Sequence, residues 1–316
     1  MENFTFNSPV LQLEGIFLSE QNLYPTFLFF LFVYVFIMVS NIGIMLLITM
    51  ERSLHEPMYI LFCNLPFTDV LGNSAVVPRL MVDLLRPASE RSIGYIDCVA
   101  QAFCYHMYTT STHTVLMAMA FDRYVAICNP LHYTTIMSNR MVAKLTAAAW
   151  GAALLLVGTL LGLTIRLNHC GTFIANPFCD NASLFKLACE STYINNVYGL
   201  TYTVFVLSAS MGTIVLTYSK IAAVCITSKS KTLNSKALKT CSTHLTVYLI
   251  LWLSAFIMVL LHRFSGYAEY RKGAALLCHI GPGVLNPLIY ALQSSEMRRF
   301  MMRILHTKKH QEPLVW

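Results

Sequence analysis

The sequence predicts an all-α membrane protein, built as a bundle of seven transmembrane helices. Hydrophobic residues make up 56% of the 316 residues and charged residues only 12%, whereas about a quarter of the residues in a soluble protein are charged. The apolar residues form runs of about 20 or more, the length that a helix needs to cross a bilayer. An open sheet cannot cross lipid because its edges lack hydrogen-bond partners, and barrel strands are only about ten residues long.

Seven apolar runs divide the chain into three parts. The runs cover residues 25–50, 57–82, 98–121, 141–165, 196–226, 240–262 and 273–292. We expect an N-terminal segment (1–24), a seven-helix domain (25–293), and a tail (294–316) that begins with a basic amphipathic helix. No cleavable signal peptide is expected, because residues 1–24 have no basic cluster before an apolar stretch.

Lysines and arginines predict the orientation, because short loops rich in these residues stay in the cytoplasm. If the first run leaves the membrane on the cytoplasmic side, that side carries an excess of basic residues, while charges on the other side nearly balance. The N-terminus is then extracellular and the C-terminus cytoplasmic. The net charge of +7 therefore reflects membrane topology, and we expect no nucleic-acid partner.

Four of the ten cysteines fall on the predicted outer side. They are Cys98, Cys170, Cys179 and Cys189. Disulfides persist in an oxidising compartment, but four cysteines allow three pairings and their spacing does not choose among them. A metal site is the weaker interpretation, because no C-x-x-C repeat is present. Two N-x-S/T sequons, at Asn3 and Asn181, also fall on this side and are candidates for glycosylation.

Charged groups and a proline interrupt the apolar runs. Asp122 and Arg123 end the third run, where charge is costly and so indicates a function. Asp69 lies within the second run, where an acid costs about 2.5–3.5 kcal/mol, so we expect it to face the bundle interior. Pro287, after Asn286, loosens the seventh helix near its inner end. These residues indicate a polar interior and a movable cytoplasmic half.

Several motifs occur in the order typical of one receptor family. They are Leu54-His55-Glu56-Pro57-Met58-Tyr59, the segment from Met119 to Cys128, Pro130-Leu131-His132-Tyr133, the segment from Lys236 to Leu245, and Pro287-Leu288-Ile289-Tyr290. In these motifs the chain resembles rhodopsin-like G-protein-coupled receptors, and more narrowly odorant receptors. His262-Arg263-Phe264 resembles the branch associated with aquatic or water-soluble odorants.

The resemblance implies specific pairs and roles. It implies the disulfides Cys98–Cys179 and Cys170–Cys189. It implies an activation switch made of Asp122, Arg123, Tyr124, Tyr218, Asn286, Pro287 and Tyr290. It also implies a polar hub of Asn41, Asp69 and Asn286, which could hold a sodium ion. The implied partners are a small odorant and a stimulatory, olfactory-type heterotrimeric G protein that raises cyclic AMP, in the plasma membrane of olfactory cilia.

We expect the ligand between the outer halves of the third, fifth, sixth and seventh helices. Helical spacing nominates Tyr105, His106, Thr109 and Thr110 on the third helix, Trp252, Phe256 and Val259 on the sixth, and His279 on the seventh. Ordinary packing is the alternative for each of them. Arg263 could bind an anionic ligand, because guanidinium matches a carboxylate; the alternative is a side chain that extends to lipid headgroups.

Other functions have weaker support in the sequence. A transporter would show internal repeats, a channel would show a charged ring or filter loop, and an enzyme would need a catalytic set, which scattered histidines do not supply. We therefore expect no enzyme, metal or cofactor. The nearest alternative is a non-olfactory receptor of the same fold for another small molecule or a lipid.

Overall fold

The structure is a computed structural model that describes residues 6–16, 18–228, 231–261 and 268–293. Its helices are α1 (Glu20–Met50), α2 (Pro57–Phe62), α3 (Asn64–Leu84), α4 (Tyr95–Cys128), α5 (Tyr133–Ile136), α6 (Asn139–Ile165), α7 (Asn181–Phe185), α8 (Tyr193–Thr227), α9 (Lys231–Leu261) and α10 (Ala268–Gln293). Its strands are β1 (Val10–Leu13), β2 (Ser92–Gly94) and β3 (Phe173–Ile174). The predicted tail, 294–316, lies outside the described residues.

Within the described ranges, seven helical segments form the bundle and confirm the predicted fold class. They are α1, α2 with α3, α4, α6, α8, α9 and α10. The stretches Glu20–Met50, Pro57–Leu84, Asn139–Ile165 and Tyr193–Thr227 are long and apolar enough to cross a membrane. The helix α4 is more polar because it lies at the centre, in contact with α3, α6, α8 and α9, so its neighbours separate its polar groups from lipid.

The second span has a break in its hydrogen bonding at Cys63, between α2 and α3. Pro66 follows three residues later and has no N–H to donate to the carbonyl of Phe62. The proline therefore accounts for the irregular turn. The two pieces still act as one apolar span from Pro57 to Leu84.

Two disulfides mark one end of the bundle, which we call the disulfide end. Cys98, near the start of α4, is bonded to Cys179 in the loop after α6. Cys170 is bonded to Cys189 within that same loop. The opposite end of α4 carries Asp122 and Arg123, and we call it the Arg123 end.

A three-stranded sheet covers the disulfide end, which the sequence analysis did not predict. The strand β1 lies in the middle, antiparallel to β2 and parallel to β3, with Leu11 opposite Ile93 and Leu13 opposite Ile174. The side chains of Leu11 and Leu13 are only 1% exposed and pack in the cluster that contains Cys98. The N-terminal segment is therefore an ordered part of this end.

The chain after β1 is attached to both the loop before α4 and the helix α10. Gly15 has φ +71°, and the side chain of Arg91 lies directly against it, so a Cβ there would be 2.7 Å from the guanidinium. Arg91 donates a hydrogen bond of 2.8 Å to the carbonyl of Glu14. The carboxylate of Glu14 accepts from Lys272 Nζ at 2.9 Å, and Lys272 is buried.

Candidate ligand cavity and candidate switch

A cavity of about 190 Å³ lies between α4, α8, α9 and α10, in the half of the bundle toward the disulfide end. Its walls are aromatic, aliphatic and hydroxyl-bearing. The lining residues are Tyr105, His106, Tyr108, Thr109, Thr110, Thr112, His113, Tyr202, Thr203, Val206, Leu207, Leu251, Ser254, Ala255, Met258, Cys278, His279 and Pro282. No Lys, Arg, Asp or Glu occurs among these described lining residues.

The helix α4 provides the face that helical spacing predicted. Tyr105, His106, Thr109 and Thr110 all line the cavity. The wall continues along α4 to His113, one further helical turn toward the Arg123 end. This helix therefore runs along the cavity for about two turns.

The structure places on the cavity a face of α9 that is one residue away from the predicted face. Phe256 is 41% exposed and stacks on Trp252, with ring centroids 5.2 Å apart, and neither lines the cavity. Leu251, Ala255 and Met258 line it instead, with Ser254. One residue corresponds to a rotation of about 100° around a helix. Between Leu251 and Met258 the one hydroxyl, that of Ser254, was the signal for the correct rotation, and the prediction did not use it. The side chains of Val259 and Arg263 lie outside the described residues.

The helix α8 contributes residues that the sequence analysis missed. Tyr202 lies on the cavity wall and its hydroxyl hydrogen-bonds Thr110 Oγ1. Since Thr110 donates its one hydrogen to the carbonyl of His106 at 2.8 Å, Tyr202 must be the donor to Thr110. The available signal was a tyrosine within the apolar run of α8, because its hydroxyl needs a partner inside the bundle.

The loop between α6 and α8 closes the cavity toward the disulfide end. A second cavity of about 270 Å³ lies beneath this loop and shares Tyr105, His106, Tyr202, Thr203 and Met258 with the first. The backbone N–H of Cys179 donates to Gln101 Oε1 at 2.7 Å, and that of Asn181 donates to His106 Nε2 at 3.2 Å. The disulfide and these hydrogen bonds hold the loop against α4.

His279 also lines the cavity, as predicted, and is fixed from two sides. Its Nε2 hydrogen-bonds the carbonyl of Gly72 at 3.2 Å. Its own backbone carbonyl accepts from the Tyr108 hydroxyl at 3.1 Å. The ring therefore connects α10 to α3 and α4.

The predicted polar hub is assembled at the centre of the bundle. Asp69 Oδ2 accepts from Asn286 Nδ2 at 3.0 Å, and Asn41 Nδ2 donates to the carbonyl of Gly283 at 3.0 Å. Asn73, which the sequence analysis did not name, donates to the backbone carbonyl of Asp69 at 2.8 Å. The Oδ1 atoms of Asn41, Asp69 and Asn73 are buried without a partner among the described residues. The hub thus retains acceptor oxygens.

At the Arg123 end, Asp122 binds two partners. Arg123 Nε donates to Asp122 Oδ2 at 2.9 Å, and its Nη2 binds the same oxygen. The hydroxyl of Tyr133, on α5, donates to Asp122 Oδ1 at 2.8 Å. Burial and the negative charge of Asp122 raise the pKa of Tyr133, so its phenol keeps its hydrogen and remains a donor. Asp122 is fully buried, and the Arg123 side chain is 15% exposed.

The other predicted switch residues occupy separate places. Tyr218 on α8 hydrogen-bonds His244 Nδ1 on α9 at 2.6 Å, a partner that the sequence analysis did not assign. The Tyr124 ring lies 5.6 Å from Lys220 Nζ. Pro287 lies inside α10, and the side chain of Tyr290 is outside the described set. Arg123 is thus held by Asp122, while Tyr218 is engaged with α9.

Comparison with known proteins identifies the family. Residues 30–308 match the family described as olfactory receptor. The chain belongs to the olfactory receptor family. Human olfactory receptor 52D1 is 34% identical over 87% of both chains, and human olfactory receptor 8D4 is 35% identical over 90% of both. Mouse olfactory receptor 8B3 is 32% identical over 87% of this chain and 86% of its own length. The family is one of multi-pass membrane receptors rather than enzymes. The branch for water-soluble odorants stays a prediction.

One sequon of this olfactory receptor is poorly placed for glycosylation. Asn181 is 4% exposed, and its Oδ1 accepts from Thr164 Oγ1 at 2.7 Å. A glycan is attached to the side-chain nitrogen, Nδ2, and on this buried residue it would require the loop to open. The structure therefore argues against the prediction at Asn181. Asn3 lies outside the described residues.

Proposed function

We propose that this receptor binds a small odorant in the cavity and activates a stimulatory, olfactory-type G protein that raises cyclic AMP. The observation that carries the proposal is the arrangement of α4 in a member of the olfactory receptor family. One stretch of this helix lines the cavity, and its last turns hold the buried Asp122–Arg123 pair. Thr110 and Asp122 are 12 residues apart, about 18 Å along a helix.

A two-state mechanism follows from this arrangement. In the resting state Arg123 is held by Asp122, and Asp122 is also held by Tyr133. Movement of α8 and α9 at the Arg123 end separates these contacts and frees the guanidinium for an acceptor on the G protein. An odorant favours that state only to the extent that it binds it more tightly than the resting state.

The size and walls of the cavity support a small, mostly apolar ligand. Free space of about 190 Å³ is modest compared with sites for drug-sized molecules. The adjoining space under the loop, about 270 Å³, gives room for a longer molecule. Binding of an anionic odorant by Arg263 stays a prediction, because Arg263 lies outside the described residues.

A sodium ion in the polar hub is part of the proposal. The carboxylate of Asp69 and the amide oxygens of Asn41 and Asn73 are the residues that would hold it, because hard cations prefer oxygen ligands. Their unpaired Oδ1 atoms support this assignment. Replacing sodium chloride by choline chloride is expected to change the affinity for a responding odorant, and Asp69→Asn is expected to abolish that difference.

We also propose that the disulfide end is extracellular and that the receptor acts in the cilia of olfactory sensory neurons. The charge distribution of the loops supports this orientation. The two disulfides fit the oxidising side of the membrane.

Cyclic-AMP measurement in cells that express the receptor with the olfactory-type G protein tests the proposal. The probes are small acids, amines, alcohols and steroids. We expect a ligand-dependent rise that is lost in Arg123→Ala. Arg140→Ala is the matched control, because Arg140 is exposed at the same end and the change removes the same charge. Equal responses of Arg123→Ala and the wild type, at equal surface expression, would contradict the proposed switch.

A further inference from the structure

The side chain of His106 is held at the wall that the two cavities share. The backbone N–H of Asn181 donates to its Nε2 at 3.2 Å, and the Tyr202 ring packs edge-on against it with centroids 6.2 Å apart. Asn181 follows closely after Cys179, which a disulfide ties to α4. A ring fixed by packing and by a hydrogen bond is a preorganised recognition group.

The hydrogen bond from Asn181 determines which nitrogen of His106 carries the hydrogen. A backbone N–H only donates, so Nε2 is the acceptor, the ring is neutral and its hydrogen is on Nδ1. None of the described residues hydrogen-bonds Nδ1, and this atom retains accessible surface, unlike Nδ1 of His279. Since His106 lines both cavities, its Nδ1 is a donor that a ligand can reach.

Tyr105, the preceding residue, adds a second donor to the same wall. Its ring packs among those of His106, Phe178 and His279, at centroid distances of 5.2, 5.1 and 5.4 Å. Its hydroxyl has no hydrogen-bond partner within the described part of the chain, and it too retains accessible surface. Tyr105 also lines both cavities. Two donors at the shared wall therefore lack an acceptor from the described protein.

The charges around the shared wall select against charged ligands. The carboxylate of Asp180 lines the second cavity, and no Lys or Arg occurs among the described residues that line either cavity. An anionic ligand would be repelled by Asp180 and would lose its hydration without gaining a positive partner. A protonated amine would be attracted by Asp180, but it has no lone pair for the two donors. A neutral acceptor avoids both conflicts.

We propose that His106 Nδ1 donates a hydrogen bond to the ligand, and that the ligand class is a neutral carbonyl compound such as a ketone, an aldehyde or an ester. This inference rests on the proposed function and specifies the chemistry of the same site. A carbonyl oxygen has two lone pairs and no hydrogen of its own, so it suits a wall with two unpaired donors. Met258, which lines both cavities, offers apolar surface to the alkyl part.

Two substitutions of nearly equal size separate the two nitrogens of His106. Both His106→Asn and His106→Leu remove the acceptor at Nε2, so each loses the hydrogen bond from Asn181. The amide nitrogen of asparagine can reach the position of Nδ1, so His106→Asn keeps a donor there and His106→Leu does not. Met258→Leu, on the same wall, alters the apolar surface alone and is the matched control.

The test measures direct binding to the purified full-length receptor. The probes are the straight-chain 2-alkanones from 2-pentanone to 2-octanone, each compared with the alkene in which =CH₂ replaces the carbonyl oxygen, and with the carboxylate and the ammonium of the same chain length. The desolvation of each probe is the same for every variant, so it cancels when the ketone-to-alkene affinity ratio is compared between variants. We expect this ratio to be about tenfold or more higher in the wild type and Met258→Leu than in His106→Leu, with His106→Asn in between.

The infrared spectrum of the bound ketone gives a second readout, one that apolar packing alone would not produce. A hydrogen bond weakens the C=O bond, so its stretch should lie at lower frequency in the receptor than in hexane. The measurement uses Tyr105→Phe, in which the hydroxyl of Tyr105 cannot cause the shift. It therefore decides the role of His106 even if His106→Leu fails to fold.

Four results would overturn the inference: equal ketone-to-alkene ratios in the wild type and His106→Leu, an unshifted carbonyl stretch, tightest binding by a carboxylate or an ammonium, or no binding by any ketone. The cyclic-AMP assay separates these failures from failure of the proposed function. A receptor that responds to other odorants without binding ketones through His106 would keep its function and lose this ligand class. Ketone binding that depends on His106 but evokes no G-protein response would do the reverse.

Discussion

Asp122 links the proposed switch at the Arg123 end to α5 through the hydroxyl of Tyr133. Tyr133→Phe removes the hydrogen bond to Asp122 Oδ1 and leaves the ring in place. Because a hydrogen bond to a charged carboxylate contributes about 1.5–3 kcal/mol, we expect ligand-independent cyclic AMP to rise about tenfold or more. Tyr193→Phe, at an exposed tyrosine near the disulfide end, should leave the basal level unchanged. Unaltered basal activity in Tyr133→Phe, at equal expression, would show that Tyr133 does not stabilise the resting state.

Gly72 is a residue at which one methyl group should matter. Gly72→Ala places a Cβ 2.5 Å from the Tyr108 ring, and overpacking of this kind costs about 1–3 kcal/mol. We expect a lower thermal midpoint of the purified receptor and reduced surface expression. Gly151→Ala is the control, because a Cβ there meets nothing within 4 Å. A Gly72→Ala receptor as stable as Gly151→Ala would contradict the tight contact between α3 and α4.

The sheet at the disulfide end is an element whose contribution can be measured. Leu11 is 1% exposed in the cluster with Cys98, whereas Val10, its neighbour on the same strand, is 50% exposed. Leu11→Ala is expected to lower the free energy of unfolding by about 2–5 kcal/mol, read as a drop in thermal midpoint. Val10→Ala should have little effect, because its side chain already contacts solvent. Equal midpoints for the two variants would mean that β1 is not packed as described.

The helices could be predicted from the sequence, but the sheet could not. Apolar runs of about 20 residues reveal a span by themselves. The strands β1, β2 and β3 contain four, three and two residues, and each pairs with residues far away in the chain, so no local pattern reveals them. The break at Cys63 was missed for a related reason, because the effect of Pro66 on one hydrogen bond does not change the apolar run.

The candidate site was predictable where polar residues fix the rotation of a helix. On α4, Tyr105, His106, Thr109 and Thr110 form one face, and all four line the cavity. On the cavity-lining part of α9 only Ser254 marks the cavity side with a hydroxyl, so the apolar residues around it do not distinguish lipid from cavity, and tertiary packing decides. His244 and Asn73 were missed because their roles depend on Tyr218 and Asp69 from other parts of the chain.

At the scale of the whole molecule, the proposed mechanism requires the two ends of the bundle to lie on opposite sides of the membrane. An epitope tag before Met1 should bind antibody on intact cells, and a tag after Trp316 should bind only after permeabilisation. The basic residues of the inner loops are the physical reason. Labelling of the C-terminal tag on intact cells would contradict the orientation and, with it, the assignment of Asp122 and Arg123 to the G-protein side.

The central claim is that occupancy of the cavity and release of Arg123 are thermodynamically coupled, and coupling of this kind is reciprocal. The most direct measurement is the affinity of the purified receptor for a responding odorant, with and without the nucleotide-free olfactory-type G protein. We expect the G protein to tighten binding in the wild type and in Arg140→Ala, typically by about 5- to 150-fold, and to have no effect in Arg123→Ala. An odorant affinity that the G protein leaves unchanged in the wild type would contradict the account.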